Sequence, residues 1–390
     1  MAEAKKRKHF VLVHGSNHGA WCWYKVKPQL EAAGYRVTAL DLAATGINMK
    51  KIQDVHSFYE YNEPLLEFLA SLSAGEKVVL VGHSAGGLSL ALAADKFPHK
   101  ISVAIFLTAF MPDTKHQPSY VVERFFEKIP SGEWLDTQFS VIDSSNPSRK
   151  TIFFGHNFLT LKLYQLSPPE DVELGKMLLR PGLVFVDELS KANKFSNEGY
   201  GSIKRVYVVC DEDICVPKQF QHWMIQNNPV DEVIEIKGVD HMPMLSKPHQ
   251  VFDCLSHIAQ KMYNLFKTFA FNTFLHKLLQ KILLTVFTHP VFQSEAQEAM
   301  RRSCNITLLI AITCSHALRC NKSKGSDQLI SIIYVSLTFW DRYRYRKIEK
   351  FSNISFLEQE SRRFNVAKDN WPGESNMEIC DCISYLHGNL

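Results

Sequence analysis

The segment Val78-Val79-Leu80-Val81-Gly82-His83-Ser84-Ala85-Gly86-Gly87 joins an apolar strand to a helix start through the pattern G-x-S-x-G. That is the nucleophile elbow: a turn so tight that the serine takes strained backbone angles and its Oγ stands clear of the sheet. Gly82 and Gly86 flank it because side chains there would collide with the neighbouring strand and helix. Ser84 also sits at a helix N-terminus, where free N–H groups favour developing negative charge. The plainer reading is a Gly/Ser turn or a phosphate loop. The strand before and the helix after favour the elbow.

A serine hydroxyl needs a base to take its proton, and the base needs an orienting carboxylate. On an elbow of this kind the order is Ser, then Asp or Glu, then His, with the last two on loops after later strands. The apolar run Val233–Ile236 precedes Lys237-Gly238-Val239-Asp240-His241-Met242, which puts His241 on such a loop. His14, His18, His83, His222 and His249 are rivals. Of these, His14 and His83 flank glycine turns and are expected to hydrogen-bond locally. The run Val206–Cys210 leads into Asp211-Glu212-Asp213, and spacing alone does not separate Asp211 from Asp213. An oxyanion would be met by two backbone N–H groups, from Ala85 and from the His14-Gly15-Ser16 turn.

The elements that must position these groups alternate. Strands are predicted at 9–13, 35–41, 77–81, 101–106, 205–210 and 232–236. Helices are predicted at 21–33, 57–72, 86–96, 219–227 and 248–263. Strand–helix alternation of this kind implies βαβ units and a parallel sheet. The alternation lapses over 112–185, which holds Pro118, Pro130, Pro147, Pro168, Pro169 and Pro181 and reads as irregular. An insertion there would lie as a lid over the C-terminal edge of the sheet, where ligands bind in open α/β folds.

The chain has 390 residues, 46% apolar and 22% charged, with a formal charge of +4. These values suit a soluble globular protein and exclude collagen-like, disulfide-scaffold and wholly disordered classes. Residues 1–264 carry 28 Lys and Arg against 29 Asp and Glu, whereas 265–390 carry 16 against 11. The two parts are different material. The basic start Lys5-Lys6-Arg7-Lys8 runs straight into a strand with no signal-peptide core, and the nine cysteines show no CxxC pairing. Reduced thiols and a cytosolic location are the expectation. No metal site and no apolar run long enough to span a membrane is found.

The segments HFVLVHGSNHGAW, VVLVGHSAGGLSLALA, FLTAFMPD, WLDTQF, YQLSPPED and IEIKGVDHMPML closely resemble plant methylesterases of the α/β-hydrolase superfamily. The resemblance runs over about residues 8–264. It implies an α/β-hydrolase fold, with a mostly parallel sheet flanked by helices and an inserted lid. It implies hydrolysis of methyl esters of small plant acids, of the methyl salicylate, methyl jasmonate and methyl indole-3-acetate class, without cofactor or metal. The family's nucleophile falls on Ser84 and its histidine on His241. Its acid, in the pattern E-D-x-x-P, falls on Asp213. The oxyanion donors fall on Ser16 and Ala85, and substrate contacts on Gly15, Phe110, Trp134, Phe139 and Met242. The sister hydroxynitrile lyases carry threonine at the Gly15 position, lysine at the Met242 position and G-E-S at the elbow, so these residues favour the esterase. A lyase and a non-catalytic hormone receptor stand as alternatives. The partner implied is a small-molecule ester, with no nucleic acid, and a homodimer is left open.

Nothing after residue 264 shares the resemblance. Residues 265–287 have the spacing of a basic amphipathic helix, suited to an anionic membrane surface or a partner, and no motif is found in 303–390. The hydrolase is expected to end at 264, with 265–390 as an extension.

Overall fold

Strands β1 (His9–Val13) and β3 (Val78–His83) are buried along their whole length, as strands covered on both faces of a parallel sheet must be. Their side chains alternate between two apolar layers. Val11, Val13, Val78 and Leu80 join one cluster; Phe10, Leu12, Val79 and Val81 join the other. β4 (Ile101–Leu107) and β8 (Arg205–Cys210) divide in the same way, with Phe106, Tyr207 and Val209 on the first face. On the second face lie Ile105, Val206 and Val208. These observations come from a computed structural model that describes residues 8–262 apart from Ser145.

Together with β2 (Arg36–Leu40) and β9 (Glu232–Ile236) at the edges, these strands make a six-stranded sheet in the order β2-β1-β3-β4-β8-β9. Every pairing in it is parallel. The chain leaves β1 for β2 on one side, and β3 for β4 on the other. The crevice beyond the C-terminal ends of β1 and β3 is therefore a topological switch point, where such sheets bind ligands. The helix Gly86–Lys96 leaves directly from β3. A last helix runs over 248–262. This is an α/β-hydrolase fold.

Two predicted helices are interrupted. That over 57–72 breaks at Asn62 into Phe58–Tyr61 and Glu63–Ser71, because Pro64 lacks an N–H and is accepted only in a first turn. That over 21–33 begins as the 3-10 turn Ala20–Trp23, and α-helix follows at Val26–Ala32. The lid is regular, against the expectation of an irregular segment. It holds the helices Tyr120–Lys128 and Pro169–Leu178. Between and after them run β5 (Gln138–Val141), β6 (Lys150–Phe153) and β7 (Gly182–Val184), an antiparallel sheet in that order. Its prolines mark element starts: Pro168 is the N-cap residue of the helix that Pro169 begins.

Among the described residues no helix is long and apolar enough to cross a membrane. The extension 265–390, with the amphipathic spacing at 265–287, lies outside the described residues.

Candidate active site

The turn after β3 takes the shape that its glycines allow. Ser84 has φ +53°, a left-handed conformation costing a residue with a Cβ about 1–3 kcal/mol. The close approaches show why small residues surround it. A Cβ on Gly86 would lie 2.6 Å from the His14 carbonyl oxygen, and one on Gly82 2.4 Å from Leu90 Cδ1. One on Gly87 would lie 2.0 Å from the carbonyl oxygen of Phe110, whose N–H donates to Ser84 O at 2.9 Å. The elbow is thus gripped by the loops after both neighbouring strands.

The partners come from loops further along the sheet, Asp213 after β8 and His241 after β9. Ser84 Oγ–H donates to His241 Nε2 (3.0 Å), and His241 Nδ1–H donates to Asp213 Oδ2 (2.7 Å). An ionised carboxylate only accepts, so the proton sits on Nδ1 and the Nε2 lone pair faces the serine. Asp213 has no exposed side-chain surface, and its burial is tolerable because both oxygens are saturated. Oδ2 also accepts from Thr108 Oγ1 (2.5 Å), and Oδ1 accepts from the N–H groups of Cys215 and Val216 (both 2.8 Å). Asp211 lies elsewhere: its Oδ1 accepts from the Gly238 N–H (2.7 Å), tying the β8 and β9 loops together.

Ser16 and Ala85 are the expected oxyanion donors. Among the described residues, their N–H groups donate to no protein acceptor, and both residues line the same cavity as Ser84 and His241. Gly15 backs the serine; a Cβ there would stand 2.7 Å from Ser84 Cβ. A threonine at this position would need the loop to shift.

Three neutral histidines surround the centre. His14 bonds locally on one side only: its Nδ1–H donates to Gly15 O at 2.8 Å, while its Nε2 accepts from the Leu42 N–H at 3.3 Å. His83 does not bond locally, contrary to expectation: its Nε2–H donates to the His241 carbonyl (2.6 Å) and fixes the backbone of that loop. His18 Nδ1–H donates to Ser16 O (2.8 Å), and its Nε2 accepts from Tyr164 O–H (2.6 Å). Burial lowers the pKa of all three, that of His18 to about 3 and that of His83 well below the usual range.

The cavity has a volume of about 120 Å³. Phe110, Phe125, Trp134 and Phe158 line it from one side, and Tyr61 and Phe185 also reach it. Trp134 stacks on Phe158 with ring centroids 5.7 Å apart. Three expected contact residues are placed differently. Gly15, behind Ser84, does not line the cavity. Phe139, on the edge strand β5, is 50% exposed and reaches the site only by packing edge-on against Trp134. Met242 is wholly buried in the core layer behind the histidine and does not line the cavity.

Thr108, Gly87 and Asp240 carry weight that the sequence reading missed. Asp240 is fully buried; it accepts from Ser167 Oγ (2.8 Å) and Ser246 Oγ (2.7 Å) and braces the His241 loop against the lid. The sequence signal for Gly87 was the doubled glycine after the elbow. For Thr108 there was none, since its partner lies 105 residues away.

The family model described as alpha/beta hydrolase matches residues 10–253. Methylesterase 1 of Arabidopsis thaliana is 56% identical over 262 residues, 67% of this chain and 99% of that protein. Salicylic acid-binding protein 2 of Nicotiana tabacum is 54% identical over 260 residues, 67% of this chain and 100% of that one. The crystal structure of polyneuridine aldehyde esterase matches with a TM-score of 0.64 at 50% identity, covering 65% of this chain and all of that one. The chain belongs to the alpha/beta hydrolase family and, within it, to the plant methylesterase group.

Proposed function

We propose that this carboxylesterase hydrolyses methyl esters of small plant-hormone-type acids through an acyl-enzyme on Ser84. The observation that carries the reading is the hydroxyl of Ser84, 3.0 Å from His241 Nε2, at a cavity walled by aromatic rings. A flat, apolar acyl group suits such walls. The names of the relatives, methylesterase and salicylic acid-binding protein, point the same way.

In this mechanism Ser84 Oγ bonds to the ester carbonyl carbon as its proton passes to His241 Nε2. The carbonyl oxygen becomes an oxyanion facing the N–H groups of Ser16 and Ala85, and Asp213 holds the imidazolium. His241 then gives its proton to the methoxy oxygen, and methanol leaves with the broken C–O bond. Water then bonds to the acyl carbon as its proton passes to His241, and His241 gives that proton to Ser84 Oγ as the acyl C–O bond breaks and the acid leaves. The lyase alternative needs a cation beside the histidine for departing cyanide. Met242 is neutral and buried on the far side, which favours the esterase. The free thiols Cys22, Cys210, Cys215 and Cys254 suit a cytosolic location.

The test is a turnover panel of methyl salicylate, methyl jasmonate, methyl indole-3-acetate and mandelonitrile, with Ser84→Ala as control. At least one ester is expected to be cleaved, and the control to lose about 10³-fold or more. Cyanide release exceeding ester cleavage would establish the lyase. Tight hormone binding without turnover in the wild type would establish the receptor.

A further inference from the structure

The loop that presents the Ser16 N–H is held from the lid side, and one residue makes most of the hold. Asn17 is 2% exposed and has φ +63°, a left-handed conformation that asparagine enters more readily than most residues with a Cβ. Its Nδ2 donates to Ile152 O and to Arg180 O, both at 2.8 Å. Its Oδ1 accepts from Ser16 Oγ (3.2 Å), and its carbonyl accepts from the Arg180 N–H (3.1 Å). Both amide hydrogens are used, so the amide has one orientation; turned over, its oxygen would face two carbonyls.

The place of these bonds matters. Ile152 of β6 pairs with Gly182 of β7, so Asn17 grips the lid sheet where its last two strands meet. The fit is close, since a Cβ on Gly182 would lie 2.5 Å from Ser16 Oγ. Ile152 and Leu183, on the same two strands, line the cavity with Ser84. The side chains that would touch the acyl group and the backbone that fixes Asn17 therefore belong to β6 and to β7 with the two residues that lead into it.

We propose that Asn17 is a positioning residue: it clasps the oxyanion loop to the β6–β7 pair of the lid and so sets the direction of the Ser16 N–H. The proposal rests on the Ser84 mechanism above. Asn17 touches neither substrate nor reacting atoms. Its effect is on an N–H that matters most when the carbonyl oxygen carries charge. Loosening the clasp should weaken binding of the tetrahedral state more than binding of ground-state ligands.

Two variants separate this from a merely structural role. Asn17→Gly keeps the left-handed backbone free of strain and removes the side-chain bonds. Asn17→Asp keeps the shape and replaces the two donors with acceptors. On whichever panel ester the wild type cleaves, kcat should fall by about 10- to 100-fold, less than the loss of a whole oxyanion donor, with KM within about threefold. The Ki of a trifluoromethyl ketone analogue of that ester, to whose carbonyl Ser84 Oγ would add, should rise by a similar factor. The Kd of the product acid should stay within about threefold. Either soluble variant suffices for the decision. Unchanged kcat and Ki would overturn the proposal, as would an equal rise in Ki and product Kd, which marks general damage to the pocket. A wild type that neither cleaves any ester nor binds the ketone would instead fell the Ser84 reading, and this proposal with it.

Discussion

Replacing Asp213 by asparagine tests the assignment of the acid most sharply, because the structure dictates which way the new amide must face. Oδ1 accepts from two backbone N–H groups, those of Cys215 and Val216. Oδ2 accepts from Thr108 Oγ1 and from His241 Nδ1–H. An amide oxygen at the Oδ1 site keeps both backbone bonds, and the Thr108 hydroxyl can rotate to accept. The amide NH₂ then points at His241 Nδ1. The opposite orientation would aim the NH₂ at two N–H donors and leave buried groups unpaired, at about 1–3 kcal/mol each. The first orientation wins. An NH₂ donating to Nδ1 forces the proton of the imidazole onto Nε2, so the ring no longer accepts from Ser84. A wrong tautomer of this kind costs about 10⁴-fold in kcat, or about 5.5 kcal/mol. Asp211→Asn, by contrast, keeps an oxygen for the Gly238 N–H and should stay within about threefold of wild type. The assay is steady-state ester hydrolysis with both variants, and circular dichroism to show that each is folded. A loss in Asp211→Asn equal to that in Asp213→Asn, or an Asp213→Asn enzyme within about tenfold of wild type, would refute the reasoning.

Three further outcomes are expected. Gly87→Ala drives a methyl into the Phe110 carbonyl, 2.0 Å away. Backbone rather than a flexible side chain must yield, so a loss of about 3 kcal/mol and a fall in Tm of about 6–12 °C are expected in a thermal melt. His18 titrates near its ordinary value when unfolded but only at about 3 when folded. The unfolded chain therefore takes up a proton that the native state refuses. Stability present at neutral pH is lost as pH falls below about 6.5, by about 1.4 kcal/mol per unit. Denaturant midpoints at pH 7 and pH 5 should show this slope reduced by about that amount in His18→Gln; an unchanged slope would contradict it. Finally, a chain ending at residue 264 should keep its rate per folded molecule, because the relatives are matched over nearly their whole length by 66–67% of this chain. A soluble, monodisperse truncation without turnover would require the boundary to be moved.

The parallel sheet was legible because its strands are covered on both faces. In β1, β3, β4 and β8 nearly every residue enters one apolar layer or the other, which leaves an apolar run in the sequence that an irregular segment would not hold. The lid was not legible for the opposite reason. Its strand β5 is exposed throughout, and β6 is buried at Thr151 and Ile152 alone, so neither carries a continuous apolar signal. Its prolines were read as breaks, but a proline at the first turn of a helix removes an N–H that has no partner there anyway, and Pro169 opens a helix of ten residues. Punctuation and disruption look alike until the partner of each N–H is known.

The centre of the site was legible for a related reason: its chemistry is local. Ser84 announces itself through glycines within two residues, and each glycine meets a named atom in the fold. His241 and Asp213 could be placed on loops, yet choosing between Asp211 and Asp213 from spacing was beyond reach. The choice depends on donors from Thr108, Cys215 and Val216 arriving at one carboxylate. Two of those donors are sequence neighbours; the third comes from the end of β4, which lies beside β8 only because of the strand order. The same limit explains Phe139 and Met242. Met242 follows His241 and Phe139 packs on Trp134, but the core takes the methionine and a strand edge turns the phenylalanine ring outward. Adjacency along the chain places a backbone, whereas the direction of a side chain follows from what packs against it. A buried carboxylate with four donors has one direction available, and that constraint makes Asp213 rather than Asp211 the partner that the imidazole can use.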